Sequence, residues 1–89
     1  MFAGRVVGRV VATRKDPGLV GAKLLVVECT DWHGNVEGQP VIALDTIGSG
    51  AGEFVFYVKS REAAVAYPGI PPVDAAIVGI IDQVDLEDD

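Results

Sequence analysis

The fold is decided by residues 4–13, GRVVGRVVAT. Four valines in this short stretch predict a β-strand, because β-branched side chains pack well on a pleated surface. Strand alternation divides the stretch into a small apolar face (Gly4, Val6, Gly8, Val10, Ala12) and a face that carries both arginines (Arg5, Val7, Arg9, Val11, Thr13). We expect the first face to point inward, and glycines inside a strand are typical of the bends of a barrel.

Four more strands are predicted downstream, separated by turns rich in glycine, proline and polar residues. They span residues 23–29, 41–44 and 53–58, and the last runs from residue 74 or 75 through 84. A short helix is predicted over residues 60–66, with Ser60 as N-cap and Pro68-Gly69 at its end. These elements predict an all-β fold, a five-stranded OB-like Greek-key barrel with one short helix between strands four and five. We expect one domain over residues 1–89, with an acidic C-terminal tail at residues 82–89.

The last predicted strand is apolar on both faces from Ala75 to Ile81. Only one face of a strand in a small barrel points into the core. We therefore expect the other face either to be covered by the helix or to lie in a subunit interface.

Composition favours a subunit of an assembly. The chain is 49% hydrophobic, which is high for so small a domain, and Cys29 is its only cysteine, so no disulfide can form within the chain. Oligomerisation remains as the expected source of stability. Charge is uneven: residues 1–44 carry a net +1 and residues 45–89 a net −7, for a total of −6. An acidic protein is a poor candidate for nucleic-acid binding, which depends on neutralising phosphates.

The chemical motifs are weak. His33 is the only histidine, and its spacing from Cys29 and Asp31 is not that of a zinc site, so no metal, cofactor or catalytic residue is predicted. Residues 48–52, GSGAG, form a glycine loop that runs into a strand and carries no lysine, unlike a phosphate loop. A tight turn packed against a neighbouring subunit is the preferred interpretation of this loop.

No membrane or targeting segment is predicted, because Arg5 and Arg9 interrupt the apolar start and residues 75–81 are too few to span a bilayer. We expect a soluble, cytoplasmic protein.

An OB-like barrel makes a single-stranded nucleic-acid or small-ligand binding module the alternative function. Such a module needs exposed aromatic residues beside a basic groove. The basic residues lie near the N-terminus, whereas Phe54, Phe56 and Tyr57 lie in another strand, and we expect Phe54 and Phe56 to face the core. Trp32 is either an exposed platform or a lid over one end of the barrel.

Four segments together carry a resemblance to a known family: residues 4–15, 19–27, 43–53 and, most specifically, 72–82, PVDAAIVGIID. In this order and at this length they resemble the vertex proteins of bacterial microcompartments, of the carboxysome and ethanolamine-utilisation type. Residues 58–63 depart from the family's pattern.

The resemblance implies a structural protein without catalytic activity, whose homopentamers cap the five-fold corners of a polyhedral shell beside hexameric shell proteins. It implies a cytoplasmic location within that shell and no nucleic-acid or membrane partner. The acidic tails of a pentamer are expected to spread apart. Arg5 and Arg9 are expected to meet acidic groups of a neighbour, such as Glu53. The candidate subunit-interface residues are Arg5, Arg9, Gly48, Ser49, Gly50, Ala51, Gly52, Glu53, Val78, Gly79, Ile80 and Ile81.

Overall fold

The computed structural model describes residues 1–11, 23–59 and 75–86. They contain five strands: β1 (Phe2–Arg9), β2 (Leu24–Thr30), β3 (Val41–Asp45), β4 (Phe54–Lys59) and β5 (Ala75–Ile80). The strands close into a barrel in the order β1-β2-β3-β5-β4, with β3 and β5 parallel and the other pairs antiparallel. The predicted five-stranded OB-like barrel is confirmed, while the predicted helix at residues 60–66 lies outside the described residues.

The barrel interior is filled by side chains from all five strands. The core cluster consists of Val6, Leu25, Val27, Ala43, Val55, Tyr57, Ala75 and Ile77. Gly4 lies at a close approach of β1 and β2: a β-carbon there would collide with Val27 Cγ1 and lie 2.9 Å from the backbone oxygen of Glu28. The absent side chain leaves room for the buried ring of Tyr57.

A bulge in β1 changes which side of the sheet its last residues face. Val6 lies opposite Val27 but Gly8 lies opposite Val26, so Val7 is the extra residue. Arg9 is thereby placed opposite Leu25, a core residue. The prediction that Arg5 and Arg9 share one outward face is therefore wrong, because uninterrupted alternation does not hold across a bulge.

The prediction for the aromatic residues of β4 is also wrong. Val55 and Tyr57 are the buried residues of this strand, at 0% and 1% exposure, whereas Phe54 and Phe56 are half-buried on the outer face. The register explains the difference: Val55 lies opposite Gly4 on the inner side, and Phe54 lies opposite the exposed Arg5.

Strand β5 is shorter than predicted and is buried mainly in its first half. Ala75, Ala76 and Ile77 are fully buried, so both faces of this half are covered within the chain, whereas Ile80 remains 40% exposed. The apolar surface left open thus lies near the end of the strand. Within residues 1–11, 23–59 and 75–86, no helix has the length and apolar character needed to cross a membrane.

Candidate subunit interface

The glycine loop, residues 48–52, is organised by the carboxylate of Asp45 at the end of β3. Its Oδ1 atom accepts hydrogen bonds from the amides of Ile47, Gly48 and Ser49 at 3.1 to 3.2 Å and from the Ser49 hydroxyl at 3.0 Å. Lys23 Nζ lies 3.3 Å from Asp45 Oδ2 and donates to the Ser49 carbonyl at 2.8 Å. These contacts stabilise the conformation of the loop.

These contacts also set the acidity of Asp45, whose side chain is 1% exposed. Burial by itself raises the pKa of a carboxyl group. The hydrogen bonds from Ser49, Ile47 and Lys23 outweigh burial, so the pKa of Asp45 is lowered from 3.8. The carboxylate is thus charged at neutral pH and holds the loop in that form.

The far end of the glycine loop is attached to β1. The amide of Gly52 donates to the Val6 carbonyl at 2.8 Å, and the Val6 amide donates to the Glu53 carbonyl at 3.0 Å. Glu53 Oε1 accepts the Gly50 amide at 2.7 Å. Gly48 and Gly52 have positive φ, at 80° and 86°, which explains glycine at these two positions.

Beside the loop is a cleft of about 320 Å³ at one mouth of the barrel. Its walls come from β1, the start of β2 and the glycine loop; the lining residues are Val6, Gly8, Arg9, Lys23, Leu25, Gly50 and Ala51. Two cationic side chains thus stand beside an otherwise apolar surface.

A second group of candidate residues forms a strip on the outer face of the barrel. The Arg5 guanidinium donates from Nη1 to the Gly52 carbonyl at 2.9 Å and lies 5.2 Å from the centre of the Phe54 ring. The Phe54 carbonyl accepts the Ile81 amide at 2.8 Å, so Arg5 of β1, Phe54 of β4 and Ile81, directly after β5, are neighbours. The strip continues at Gly79, where an added β-carbon would collide with the ring of Phe56.

The structure groups the candidate residues in two places. Arg9, Gly50 and Ala51 line the cleft, while Arg5, Gly79 and Ile81 lie on the outer strip. Ile80 lies opposite Val55, on the inner side of the sheet. Val78 and Ile81 are half-buried. The contribution of Lys23 and Asp45 was missed, although an aspartate followed by a turn-forming loop is a recognisable signal in the sequence. The predicted contact of Arg5 or Arg9 with Glu53 of a neighbour stays a prediction.

The loop that carries Trp32 and His33 belongs to neither the cleft nor the outer strip. Asp31 accepts hydrogen bonds from the amides of His33 and Asn35 and from Asn35 Nδ2, and the bonds from Asn35 lower the pKa of Asp31. Trp32 is 39% exposed. Across the described part of the chain, His, Cys, Asp and Glu side chains do not gather in groups of three or more that fit a metal ion.

Cys29 lies in β2, half-buried against the core of the barrel, rather than in that loop. Its Sγ atom accepts the Tyr57 hydroxyl at 3.0 Å and donates to the Gln39 carbonyl at 3.0 Å. Burial, together with the bond to Cys29, raises the pKa of Tyr57. The thiol therefore completes the hydrogen bonding of a buried phenol.

Known proteins resemble this chain in both sequence and structure. The family model described as "Ethanolamine utilisation protein EutN/carboxysome" matches residues 1–82. The chain belongs to the EutN/CcmL family. The shell vertex protein EutN of Salmonella typhimurium is 42% identical over 80 residues, which cover 89% of this chain and 81% of that protein.

Solved structures of the family match over nearly the whole chain. CcmL of Nostoc sp. PCC 7120 superposes with a TM-score of 0.87 at 39% identity, covering 98% of this chain and 93% of that one. GrpN, a pentameric microcompartment shell protein from Rhodospirillum rubrum, superposes with a TM-score of 0.85 at 37% identity, covering 98% and 100%. The prediction of a structural microcompartment vertex protein is confirmed, and it is favoured over the nucleic-acid or small-ligand binding alternative.

Proposed function

We propose that this chain, folded as one domain over residues 1–89, forms a homopentamer that caps the five-fold vertices of a microcompartment shell in the cytoplasm. The observation that carries the proposal is the likeness to a pentameric shell protein over nearly the full length of both chains. Its neighbours in the shell are hexameric shell proteins. Hexagonal tiles alone make flat sheets or tubes, and five-fold units introduce the curvature that closes a shell.

The described surface supports assembly. A barrel of this size leaves large apolar side chains exposed beside the glycine loop and at the ends of β1 and β5, namely Val7 (51%), Val11 (81%), Ile47 (42%) and Ile80 (40%). Apolar surface of this kind is stabilised when another copy of the chain covers it. We place the subunit contacts at the glycine loop, Glu53, Arg5, Arg9 and residues 78–81.

A non-catalytic role is consistent with how the polar groups are used. Asp45 and Glu53, the carboxylates of the candidate interface, accept hydrogen bonds from loop amides within the chain. Both therefore stabilise the conformation of the loop. We propose that the protein carries out no reaction and binds no nucleic acid or membrane.

The aromatic residues on the outer face of β4 bear on the nucleic-acid alternative. Phe54 lies under the Arg5 guanidinium, and Phe56 lies over Gly79, so neither ring has both faces open for a base. Titration of a labelled single-stranded oligonucleotide at low salt tests the alternative. We expect no binding, and binding that weakens with added salt would favour the alternative.

Shell closure tests the proposed function directly. The chain is co-expressed with hexameric shell proteins of the same compartment, and the products are compared by electron microscopy with those made without it. We expect closed polyhedral particles only when the chain is present. Closed particles of equal number in its absence, or particles that do not contain it, would contradict the proposal.

A further inference from the structure

The inference concerns how neighbouring subunits engage, and it rests on the proposed pentamer. A closed ring of five identical subunits uses heterologous contacts, in which one patch of each chain meets a different patch of the next. The chain must therefore carry two surfaces that are complementary to each other in shape and charge.

The first surface is the cleft at the barrel mouth. Of its two cations, Lys23 already pairs with Asp45 and donates to the Ser49 carbonyl. The side chain of Arg9, which the β1 bulge places at the rim, makes no hydrogen bond or ion pair with any residue that the structure describes. Glu53, which directly follows the glycine loop, accepts the Gly50 amide. Within residues 1–11, 23–59 and 75–86, the cleft therefore presents a cation without a partner beside an apolar wall.

The second surface follows β5. The ladder between β4 and β5 ends where the Ile81 amide bonds to the Phe54 carbonyl, and residues 82–86 continue outside the strands. In this segment Asp85 is exposed and Leu86 is 52% exposed. Among the described residues, the Asp85 carboxylate accepts a side-chain hydrogen bond from Gln83 Nε2 alone, at 2.8 Å. The segment thus offers an acidic group beside an apolar one.

We propose that residues 84–86 of one subunit dock into the cleft of the next subunit. The Asp85 carboxylate meets the Arg9 guanidinium, and Leu86 packs on the apolar wall that includes Leu25 and Ala51. The cleft volume of about 320 Å³ is at the small end of ligand pockets, which suits one or two side chains.

Electrostatics favours this arrangement over free tails. Five copies of a chain with a formal charge of −6 carry −30 together, so unpaired acidic segments repel one another. Each Asp85 that meets a partner's arginine removes part of this repulsion. A head-to-tail contact repeats five times around the ring, so a modest interaction at one site has a large effect on assembly.

Disulfide trapping tests the contact and its direction. Arg9→Cys and Asp85→Cys are combined in one chain that also carries Cys29→Ser, since serine keeps an acceptor for the Tyr57 hydroxyl. After mild oxidation, we expect a non-reducing gel to show a ladder of linked subunits that ends at five. The matched control pairs Arg9→Cys with Val36→Cys, an exposed position on a different loop, and gives no ladder.

Three outcomes overturn the inference. A monomeric band with an internal disulfide means that the segment folds onto its own cleft. No cross-link in a protein whose native mass is still five subunits rejects the contact and leaves the proposed function standing. A parent protein that stays monomeric at high concentration rejects both.

Charge reversal provides a second test that needs no cysteine. Arg9→Glu and Asp85→Arg are each expected to raise the concentration for half-dissociation of the pentamer by roughly tenfold, because attraction becomes repulsion. The double variant restores the opposite charges and is expected to recover most of the loss. Single variants that assemble like the parent, or a double variant no better than either, would overturn the inference.

Discussion

Replacing Gly4 by alanine tests whether the close approach of β1 and β2 stabilises the barrel. The added methyl group would collide with Val27 Cγ1, lie 2.9 Å from the Glu28 backbone oxygen and lie 3.2 Å from Tyr57 Cε1. Val27 and Tyr57 are 0% and 1% exposed, so they have no free space into which to move. Overpacking of this kind costs about 1–3 kcal/mol, and the backbone contact favours the upper part of that range.

Alanine also brings a small gain, because glycine inside a strand is less favourable by roughly 0.5–1 kcal/mol. The net loss for Gly4→Ala is therefore about 1–2 kcal/mol. In a domain of this size each kcal/mol lowers Tm by about 4–8 °C, so we expect a decrease of about 4–16 °C.

Gly8→Ala is the matched control in the same strand. A β-carbon at Gly8 would meet only Val26, at 4.0 Å, so the same substitution is expected to leave stability unchanged or slightly higher. Both variants are measured by thermal and urea unfolding at one protein concentration, after their native masses are shown to match the parent. The reasoning is refuted if Gly4→Ala is as stable as the parent, or if the two variants change stability equally.

Three further predictions concern the candidate interface. Asp45→Asn is expected to lower stability by about 1–3 kcal/mol at neutral pH, because the loop amides and Lys23 lose a charged acceptor. Since the folded-state pKa of Asp45 is lowered from 3.8, the stability that its carboxylate contributes is complete above that value and is lost as pH falls through the folded-state pKa. When the free energy of unfolding is measured against pH, acidification below about pH 4 should therefore destabilise the variant less than it destabilises the parent. Gly50→Trp is expected to break the pentamer while leaving the barrel folded, because Gly50 has no positive φ and a β-carbon there meets only Glu53 Oε1, at 3.6 Å; native mass and circular dichroism separate the two effects. Gly79→Ala is expected to displace the Phe56 ring from the outer strip and to weaken assembly more than folding, as seen in the concentration dependence of the native mass.

Each of these predictions has an outcome that contradicts it. An Asp45→Asn variant with the parent's stability and pH profile would show that the Asp45 carboxylate does not stabilise the loop. An intact Gly50→Trp pentamer would place the glycine loop outside the interface. If the double variant Phe56→Ala/Gly79→Ala assembles no better than Gly79→Ala alone, the collision with the Phe56 ring is not the reason that Gly79→Ala weakens assembly.

Much of the barrel could be predicted from local pattern. The valine-rich start, the turn residues and the strand spacing predicted five strands within one to four residues of their observed ends, because β-branched residues and glycine act locally. The start of β5 was correctly singled out as apolar on both faces. Ala76 is fully buried within the chain, so that apolarity does not by itself indicate an interface.

The two errors have different physical causes. The bulge at Val7 shifts the register of β1, so the position of Arg9 could not be derived from uninterrupted alternation. Gly8 in the strand indicates a bend but does not fix which residue is the extra one. The inward face of β4 was likewise misassigned because size and aromaticity suggested burial for Phe54 and Phe56. The Tyr57 ring fits inside the barrel because Gly4, on the neighbouring strand β1, has no side chain. This fit depends on contacts between strands and cannot be derived from the sequence of β4 alone.

The native mass of the purified protein is the most direct test of the central claim. Light scattering or native mass spectrometry over a range of concentrations should give five times the 9.3 kDa chain. That result would support the vertex pentamer and justify the shell-closure experiment. A protein that stays monomeric as its concentration is raised, or that forms an assembly of another number, would contradict the account.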